Sequence, residues 1–313
     1  MRYLVTGGAG FIGSNTVDEL VRRGNRVTVL DDLSSGKEIN LAGVRERIDF
    51  IRGSVTDREA LERACKEVDY VLHLAARTSV PRSVKDPLES NRINVDGTLN
   101  VLVAARDAGV RRVVFAGSSS VYGDTPTLPK HERMQPAPIS PYGVTKLVGE
   151  LYGSVFCRAY GLEFVSLRYF NVFGPRQDPG SPYSGVLSLF IAAVRNGTSP
   201  TVYGDGDQSR DFTFVENVVE ANLQACVVPG VAGLAMNLGT GGRYTLNQTL
   251  RLLEKFAGHP VQANYMASRE GDIRDSQADT SLAQEKIAYM PRVGFEEGLR
   301  RTWDWYCAQQ TKP

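Results

Sequence analysis

Through the first half of the chain, short β-branched runs alternate with longer stretches whose apolar residues recur every three or four positions. The runs Tyr3–Thr6, Arg26–Leu30, Ile48–Arg52, Tyr70–Leu74, Val113–Ala116 and Glu163–Arg168 predict strands. Helical periodicity between them predicts helices over Phe11–Arg23, Asp57–Glu67, Asn91–Ala108 and Pro141–Tyr160. Gly24, Gly109 and Gly161 stop three of these, and Thr56 or Asp57 caps the second at its N-terminus. Strands divided by helices pair in parallel through right-handed crossovers. The pattern therefore predicts an α/β fold on a doubly wound parallel sheet.

After Asn171 the texture changes. Val172–Gly185 is rich in proline and glycine and reads as a functional loop, and Gly204–Gln208 forms another turn-rich stretch. The alternation becomes irregular, which predicts a smaller, loop-rich C-terminal domain. The expected division is 1–171 for the sheet domain and 172–313 mainly for substrate binding, with segments near 211–240 returning to the first.

Composition narrows the partners. The 36 Lys and Arg residues against 35 Asp and Glu leave a formal net charge of +1, so no charge excess draws the chain to nucleic acid or to an anionic membrane. Cys65, Cys157, Cys226 and Cys307 lie far apart, and none of the 3 histidines is near them, so no zinc site and no other metal is expected. The thiols read as reduced and structural. The N-terminus enters a strand at once, without the order of a signal peptide, and no apolar run approaches the roughly 20 residues of a spanning helix. A cytoplasmic protein is expected.

Thr6-Gly7-Gly8-Ala9-Gly10-Phe11-Ile12-Gly13 falls between the first strand and the first helix and satisfies GxGxxG. Glycines there permit a tight turn and close backbone approach to a pyrophosphate, while the helix N-terminus supplies N–H donors. The second strand runs into Asp31-Asp32, where a carboxylate would hold an adenosine ribose. That negative charge repels a 2′-phosphate, so NAD is favoured over NADP. Lys37 is the alternative phosphate partner, but a lone loop lysine is usually solvated. A dinucleotide-binding, Rossmann-type domain is the expectation.

Tyr142 and Lys146 form a YxxxK pair on one helix face. An unperturbed phenol is too weak an acid to serve as a base at neutral pH. A nearby ammonium and an oxidised nicotinamide both favour phenolate, so a lowered Tyr142 pKa is expected. The serine run Ser118-Ser119-Ser120 follows the fifth strand. Alone it would read as a polar turn; with the tyrosine pair it reads as part of the same site.

The chain resembles the extended short-chain dehydrogenase/reductase family, specifically its nucleotide-sugar 4-epimerases. The resemblance is carried by TGGAGFIG (6–13), HLAA (73–76), NVDGT (94–98), SSSVYG (118–123), SPYGVTK (140–146), LRYFNVFGP (167–175), SRDFTFVEN (209–217), NLGTG (237–241) and REGD (269–272). It implies NAD held through turnover by Gly7, Gly10, Phe11, Ile12, Gly13, Asp31, Asp32, Ser35, Gly36, Ser54, Val55, Leu74, Ala75, Ala76, Tyr142, Lys146 and Tyr169. It implies that Tyr142 takes the proton from the sugar 4-hydroxyl, that Lys146 holds the nicotinamide ribose, and that Ser118 hydrogen-bonds the reacting oxygen. It implies a UDP-sugar substrate contacted by Ser118, Ser119, Ser120, Asn171, Val186, Tyr203, Arg210, Arg269, Asp272 and Ser276. Arginine suits a diphosphate because its planar fork binds two oxygens at once. Members also form homodimers, and the 91–108 and 141–160 helices could pair across a two-fold axis or both be buried within one subunit.

Single residues choose among the relatives. Dehydratases of this family carry Asp and Glu after the equivalent of Ser118, and decarboxylases Glu at the 120 position. Ser119 and Ser120 stand here, which favours simple epimerisation. A tyrosine shortly after REGD restricts the hexose pocket in the family. This chain has Ser276, which leaves room for an N-acetyl group and favours UDP-N-acetylglucosamine/UDP-N-acetylgalactosamine, with UDP-glucose/UDP-galactose also open. Arg77 and Arg82 keep UDP-glucuronate as an alternative, although Arg82 is expected to face solvent. One departure concerns the cofactor: the family's Gly-Asp after the third strand is Gly53-Ser54 here, which removes a carboxylate acceptor for the adenine amino group. A reductase that releases its nicotinamide each cycle, and a non-catalytic dinucleotide sensor, are the competing readings.

Overall fold

The computed structural model describes residues 1–180, 185–268 and 273–309. Its centre is a seven-stranded sheet. The strands are β1 (Arg2–Thr6), β2 (Arg26–Asp31), β3 (Ile48–Arg52), β4 (Tyr70–His73), β5 (Arg112–Ser118), β6 (Glu163–Tyr169) and β7 (Ala235–Leu238). They lie in the order β7-β6-β5-β4-β1-β2-β3, and every neighbouring pair is parallel. Alternate residues of β1 serve two cores: Tyr3 and Val5 join one apolar cluster, and Leu4 the other. β5 is buried along its whole length, as expected of a parallel strand covered on both faces. The order reverses beside β1, so β1 and β4 open a crevice at their C-terminal ends, where doubly wound sheets hold ligands.

The helices follow the sequence pattern with one instructive exception. Asp57 is the cap of the Arg58–Cys65 helix, its carboxylate accepting from Ala60 N at 3.1 Å. The expected single helix over 91–108 is instead Pro87–Asn91, a π-turn over Arg92–Asp96, and Gly97–Asp107. The π-turn carries Asn94, whose side chain accepts from Arg77 N at 2.7 Å and donates to Arg77 O and to Thr145 Oγ1. Aiming that amide at the loop after β4 requires the extra residue per turn, a distortion common near functional sites.

Beyond β6 the chain builds a second layer from the helices Val186–Arg195, Leu246–Ala257 and Phe295–Ala308. Val172–Phe173, at the start of the expected loop, pairs in parallel with Thr213–Phe214. Phe173, Phe212, Phe214 and Phe295 pack ring against ring beneath this pair. β7 then returns to the sheet beside β6. Among the described residues, no helix is long and apolar enough to cross a membrane.

Candidate active site

β1 ends at Thr6, and the chain turns through the glycine loop into the Phe11–Arg22 helix. Gly7 has φ 70°, and a Cβ there would lie 2.8 Å from the Ala75 backbone. A Cβ on Gly13 would lie 2.1 Å from Gly7 O. The loop, the first helical turn and Leu74–Ala75 therefore meet backbone to backbone, and Ala75 N donates to Thr6 Oγ1 at 3.3 Å. Gly10 N donates to Gly7 O at 3.1 Å, and no side chain caps the helix, which leaves the first-turn N–H groups of Phe11 and Ile12 without a side-chain acceptor. This cradle, which a Cβ at either position would fill, fits a dinucleotide pyrophosphate.

Asp31 is buried at the end of β2. Its carboxylate accepts from Ala9 N at 2.9 Å and from Leu33 N at 2.8 Å. Burial raises its pKa, and these two bonds oppose the rise. Asp32 is exposed and accepts from Ser34 N. Ser35 is exposed, and Gly36 lies against Ala9, with Lys37 N donating to Ala9 O. The Lys37 side chain is not simply solvated: it pairs with Asp178 at 2.7 Å, which occupies the alternative phosphate partner. Ser54 Oγ bonds Thr56 Oγ1 at 2.9 Å, and Arg92 Nη1 reaches the same hydroxyl at 3.1 Å. Val55 is buried, its Cγ2 only 2.6 Å from where a Cβ on Gly97 would stand.

The reacting groups meet at the end of β5. Ser140 caps the Pro141–Tyr160 helix by accepting from Gly143 N at 3.1 Å, and Ser83 Oγ accepts from Tyr142 N at 3.0 Å. Those two bonds fix the first turn and bring Tyr142 beside Ser118, the last residue of β5, whose hydroxyl acts on the phenol's pKa. Ser118 Oγ also lies 2.8 Å from Ser120 Oγ and accepts from Ser120 N. Ser119 begins the short turn that follows and is half-buried. Lys146 is buried one turn along the helix and donates to Ala116 O at 2.8 Å. Its ammonium stands 5.8 Å from the Tyr142 ring centroid and 4.8 Å from that of Phe115.

Electrostatics correct one expectation. Among the protein's own groups the Tyr142 pKa is raised, not lowered: burial dominates, and the Ser118 hydroxyl opposes it. Burial likewise lowers Lys146 to about 8, with Glu150 opposing. Tyr169 is not directed at these groups by its hydroxyl, which donates to Asn222 Oδ1 at 2.8 Å; burial raises its pKa.

The substrate-side residues gather from distant segments. Asn171, at φ 34°, donates to Asp211 O at 3.2 Å and to Ser276 Oγ at 3.3 Å. Asn171, Val186, Phe212 and Gln177 line one cleft of about 70 Å³. Arg210 is half-buried, with Nη1 donating to Ser209 O and Arg274 O at 2.9 and 2.8 Å. Tyr203 stands apart on the Thr201–Tyr203 strand, its carbonyl accepting from Gln208 Nε2. Arg269 and Asp272 lie outside the described residues. Arg82 is half-buried rather than fully solvated, and Arg77 pairs with Asp86 at 3.2 Å.

Some organising residues were not singled out from the sequence. Asp211 is fully buried and accepts from Thr240 N, Thr240 Oγ1, Gly241 N and Ala278 N, tying three segments together. His73 is buried between Thr6 Oγ1 and Thr98 Oγ1. Both sit inside the quoted motifs, SRDFTFVEN and HLAA, but an acid or a histidine in a motif does not declare that it is buried.

A parallel sheet with a glycine cradle at its switch point, and a Ser–Tyr–Lys cluster beside it, define a dinucleotide-dependent oxidoreductase-type fold. The chain belongs to the NAD dependent epimerase/dehydratase family, whose model matches residues 3–239. It is 42% identical to the solved UDP-N-acetylglucosamine 4-epimerase of Methanobrevibacter ruminantium, in complex with UDP-N-acetylmuramic acid, with a TM-score of 0.94 over 98% of each chain. It is 39% identical to the Thermus thermophilus UDP-glucose 4-epimerase solved with NAD, with a TM-score of 0.91 over 98% of this chain and 99% of that one. It is 33% identical to the UDP-glucuronate 4-epimerase of Thermodesulfobacterium geofontis, over 97% of this chain and 95% of the relative.

Proposed function

We propose that this protein is a UDP-sugar 4-epimerase that inverts the C4 hydroxyl through a transient 4-ketone. The observation that carries the reading is the placement of Tyr142 on the capped first turn of its helix beside Ser118, the last residue of β5, with Lys146 one helical turn away and 5.8 Å from the Tyr142 ring. Tyr142 removes the proton from the C4 hydroxyl, and Ser118 holds the same oxygen. Lys146, donating to Ala116 O, supplies fixed positive charge beside the phenol. Bound NAD supplies a hydride acceptor that later returns the hydride, and in its oxidised form a positive charge that favours phenolate. Gly7, Gly10, Phe11, Ile12, Gly13, Asp31, Asp32, Ser35, Gly36, Ser54, Val55, Leu74, Ala75, Ala76 and Tyr169 are proposed to surround it. Neither Ser119 nor Ser120 has the acid that elimination needs.

The favoured substrate is UDP-N-acetylglucosamine/UDP-N-acetylgalactosamine, with UDP-glucose/UDP-galactose accepted, because Ser276 is small and lies beside Asn171. Val186, Tyr203, Arg210, Arg269 and Asp272 are assigned to the nucleotide-sugar side. Residues 1–171, with 211–240, form the proposed cofactor domain, and the remainder of 172–313 the substrate domain. The free cysteines fit a reducing cytoplasm.

The working unit is proposed to be a homodimer. Val144, Leu151 and Val155 make an exposed apolar stripe on the Pro141–Tyr160 helix, continued by Val84 and Leu88 on the adjoining segments. The Gly97–Asp107 helix, the other element that could pair across the axis or be buried within one subunit, packs Val101 and Leu102 into the sheet's core.

The purified protein should carry NAD without being given any. Incubation with UDP-N-acetylglucosamine, UDP-glucose and UDP-glucuronate separately, followed by resolution of the C4 epimers, should give product from the first two, whereas activity on UDP-glucuronate alone overturns the Ser276 argument; Tyr142→Phe should abolish turnover while retaining NAD. Full activity in that variant overturns the reading.

A further inference from the structure

Glu150 lies four residues beyond Lys146 on the same buried helix face, and the reaction scheme above gives it no role. Its carboxylate is gripped from two strand residues. Arg168 donates from Nε at 3.0 Å and from Nη2 at 2.7 Å, and Ser166 Oγ donates at 2.9 Å. A Cβ built on Gly117 would stand 3.1 Å from Glu150 Oε1. The carboxylate therefore sits directly behind the peptide that joins Ala116, whose carbonyl takes the Lys146 proton donor, to Ser118. Arg168 is held in turn: Nη1 donates to Tyr122 Oη at 2.9 Å, and Tyr122 donates to Asn237 Oδ1 at 2.7 Å.

We propose that Glu150 is a positioning residue that keeps Lys146 an ammonium at the Ala116 carbonyl, with Arg168 and Ser166 fixing its carboxylate in place. The inference rests on the reading of Tyr142 and Lys146 above. Lys146 has a neutral carbonyl and two aromatic rings as its direct neighbours, which do little to offset burial of a charge. The titratable groups facing it are few. Tyr142 and Glu150 come from its own helix. His73, on β4, is held neutral because burial lowers it to about 3. Arg168, on β6, and Tyr122 are bound into the Glu150 pair, and the Tyr122 and Tyr169 phenols are raised by burial. Glu150 is the negative charge in this set.

The test is a titration of Lys146 in NAD-loaded protein labelled with ¹³C at lysine Cε, the signal assigned by its loss in Lys146→Met. Glu150→Gln should lower the Lys146 pKa by about one unit or more, and move the alkaline limb of kcat down with it. That variant leaves Arg168 buried without its partner, so the Glu150→Gln/Arg168→Gln double variant is the fold-safe form and should show a downward shift smaller than that of Glu150→Gln, because the opposing guanidinium charge is removed with the carboxylate. Arg168→Gln alone, which leaves the carboxylate unpaired near Lys146, should raise the pKa. A wild-type Lys146 titration in the double variant overturns the inference. If the double variant does not fold, an unchanged or lowered pKa in Arg168→Gln overturns it. Full activity of Lys146→Met would instead overturn the underlying reading of the Tyr142–Lys146 pair.

Discussion

The side-chain amide of Asn171 donates to Ser276 Oγ at 3.3 Å, joining two residues 105 positions apart. Ser276 is 8% exposed, so its hydroxyl is packed against Asn171 and is not a loose loop group, and in the proposed site it borders the hexose. Ser276→Tyr should therefore lower kcat/KM for UDP-N-acetylglucosamine by roughly 10- to 200-fold relative to UDP-glucose, the range typical of a filled apolar pocket. Ser276→Ala removes only the hydrogen bond and should leave the preference in place. Steady-state kinetics on both sugars checks this, and an unchanged ratio in Ser276→Tyr would show that another side chain sets the pocket size.

The sheet was readable because short β-branched runs mark strands buried on both faces and the 3.6-residue period marks helices, and β5 and the Pro141–Tyr160 helix follow these signals closely. What the pattern could not show is aim. Nothing in the spacing of Arg92–Asp96 announces a π-turn, since the distortion exists to point Asn94 at Arg77 and Thr145, contacts 17 and 51 residues away. The Glu150–Arg168 pair was hidden for a similar reason: a glutamate and an arginine on amphipathic elements ordinarily face solvent, and only tertiary packing buries them. The raised Tyr142 pKa follows from burial too, a quantity that the YxxxK spacing does not carry.

Gly13 faces Gly7 O so closely that any side chain must push the helix off the loop. Gly13→Ala should therefore lose NAD during purification, with affinity weakened at least about tenfold, or ~1.4 kcal/mol. The absorbance of NAD released from denatured protein measures it, set beside the wild type. Stoichiometric NAD in the variant would mean that the pyrophosphate does not use this turn.

His73 gives a pH dependence of stability. Its nitrogens bond Thr6 Oγ1 at 2.8 Å and Thr98 Oγ1 at 3.0 Å, and burial lowers its pKa to about 3 from an ordinary 6.5, with Lys146 adding to the effect. The folded pKa is depressed, so between pH 6.5 and 3 the unfolded chain binds a proton that the folded chain refuses. Stability should fall as pH falls through that window, by up to about 1.4 kcal/mol per pH unit. Urea midpoints at pH 7, 6 and 5 check it. His73→Asn should be less stable at pH 7, and its deficit should narrow toward pH 5; a constant deficit would assign the acid sensitivity elsewhere.

Leu151 and Leu88 are 59% and 84% exposed, on neighbouring elements that share one apolar face with Val84, Val144 and Val155. Isolated surface leucines are ordinary, but a contiguous stripe along a 20-residue helix points to a covered surface. In a two-fold dimer each substitution acts twice, because the same patch meets itself. Burying a leucine contributes about 1.5–3 kcal/mol, so Leu151→Glu should weaken association by roughly 3 kcal/mol or more. Sedimentation equilibrium at micromolar concentration should find a dimer for the wild type and a monomer for Leu151→Glu, with the thermal midpoint of a separately folded protomer still measurable. A monomeric wild type would remove the dimer, and a dimeric Leu151→Glu would move the interface away from this helix.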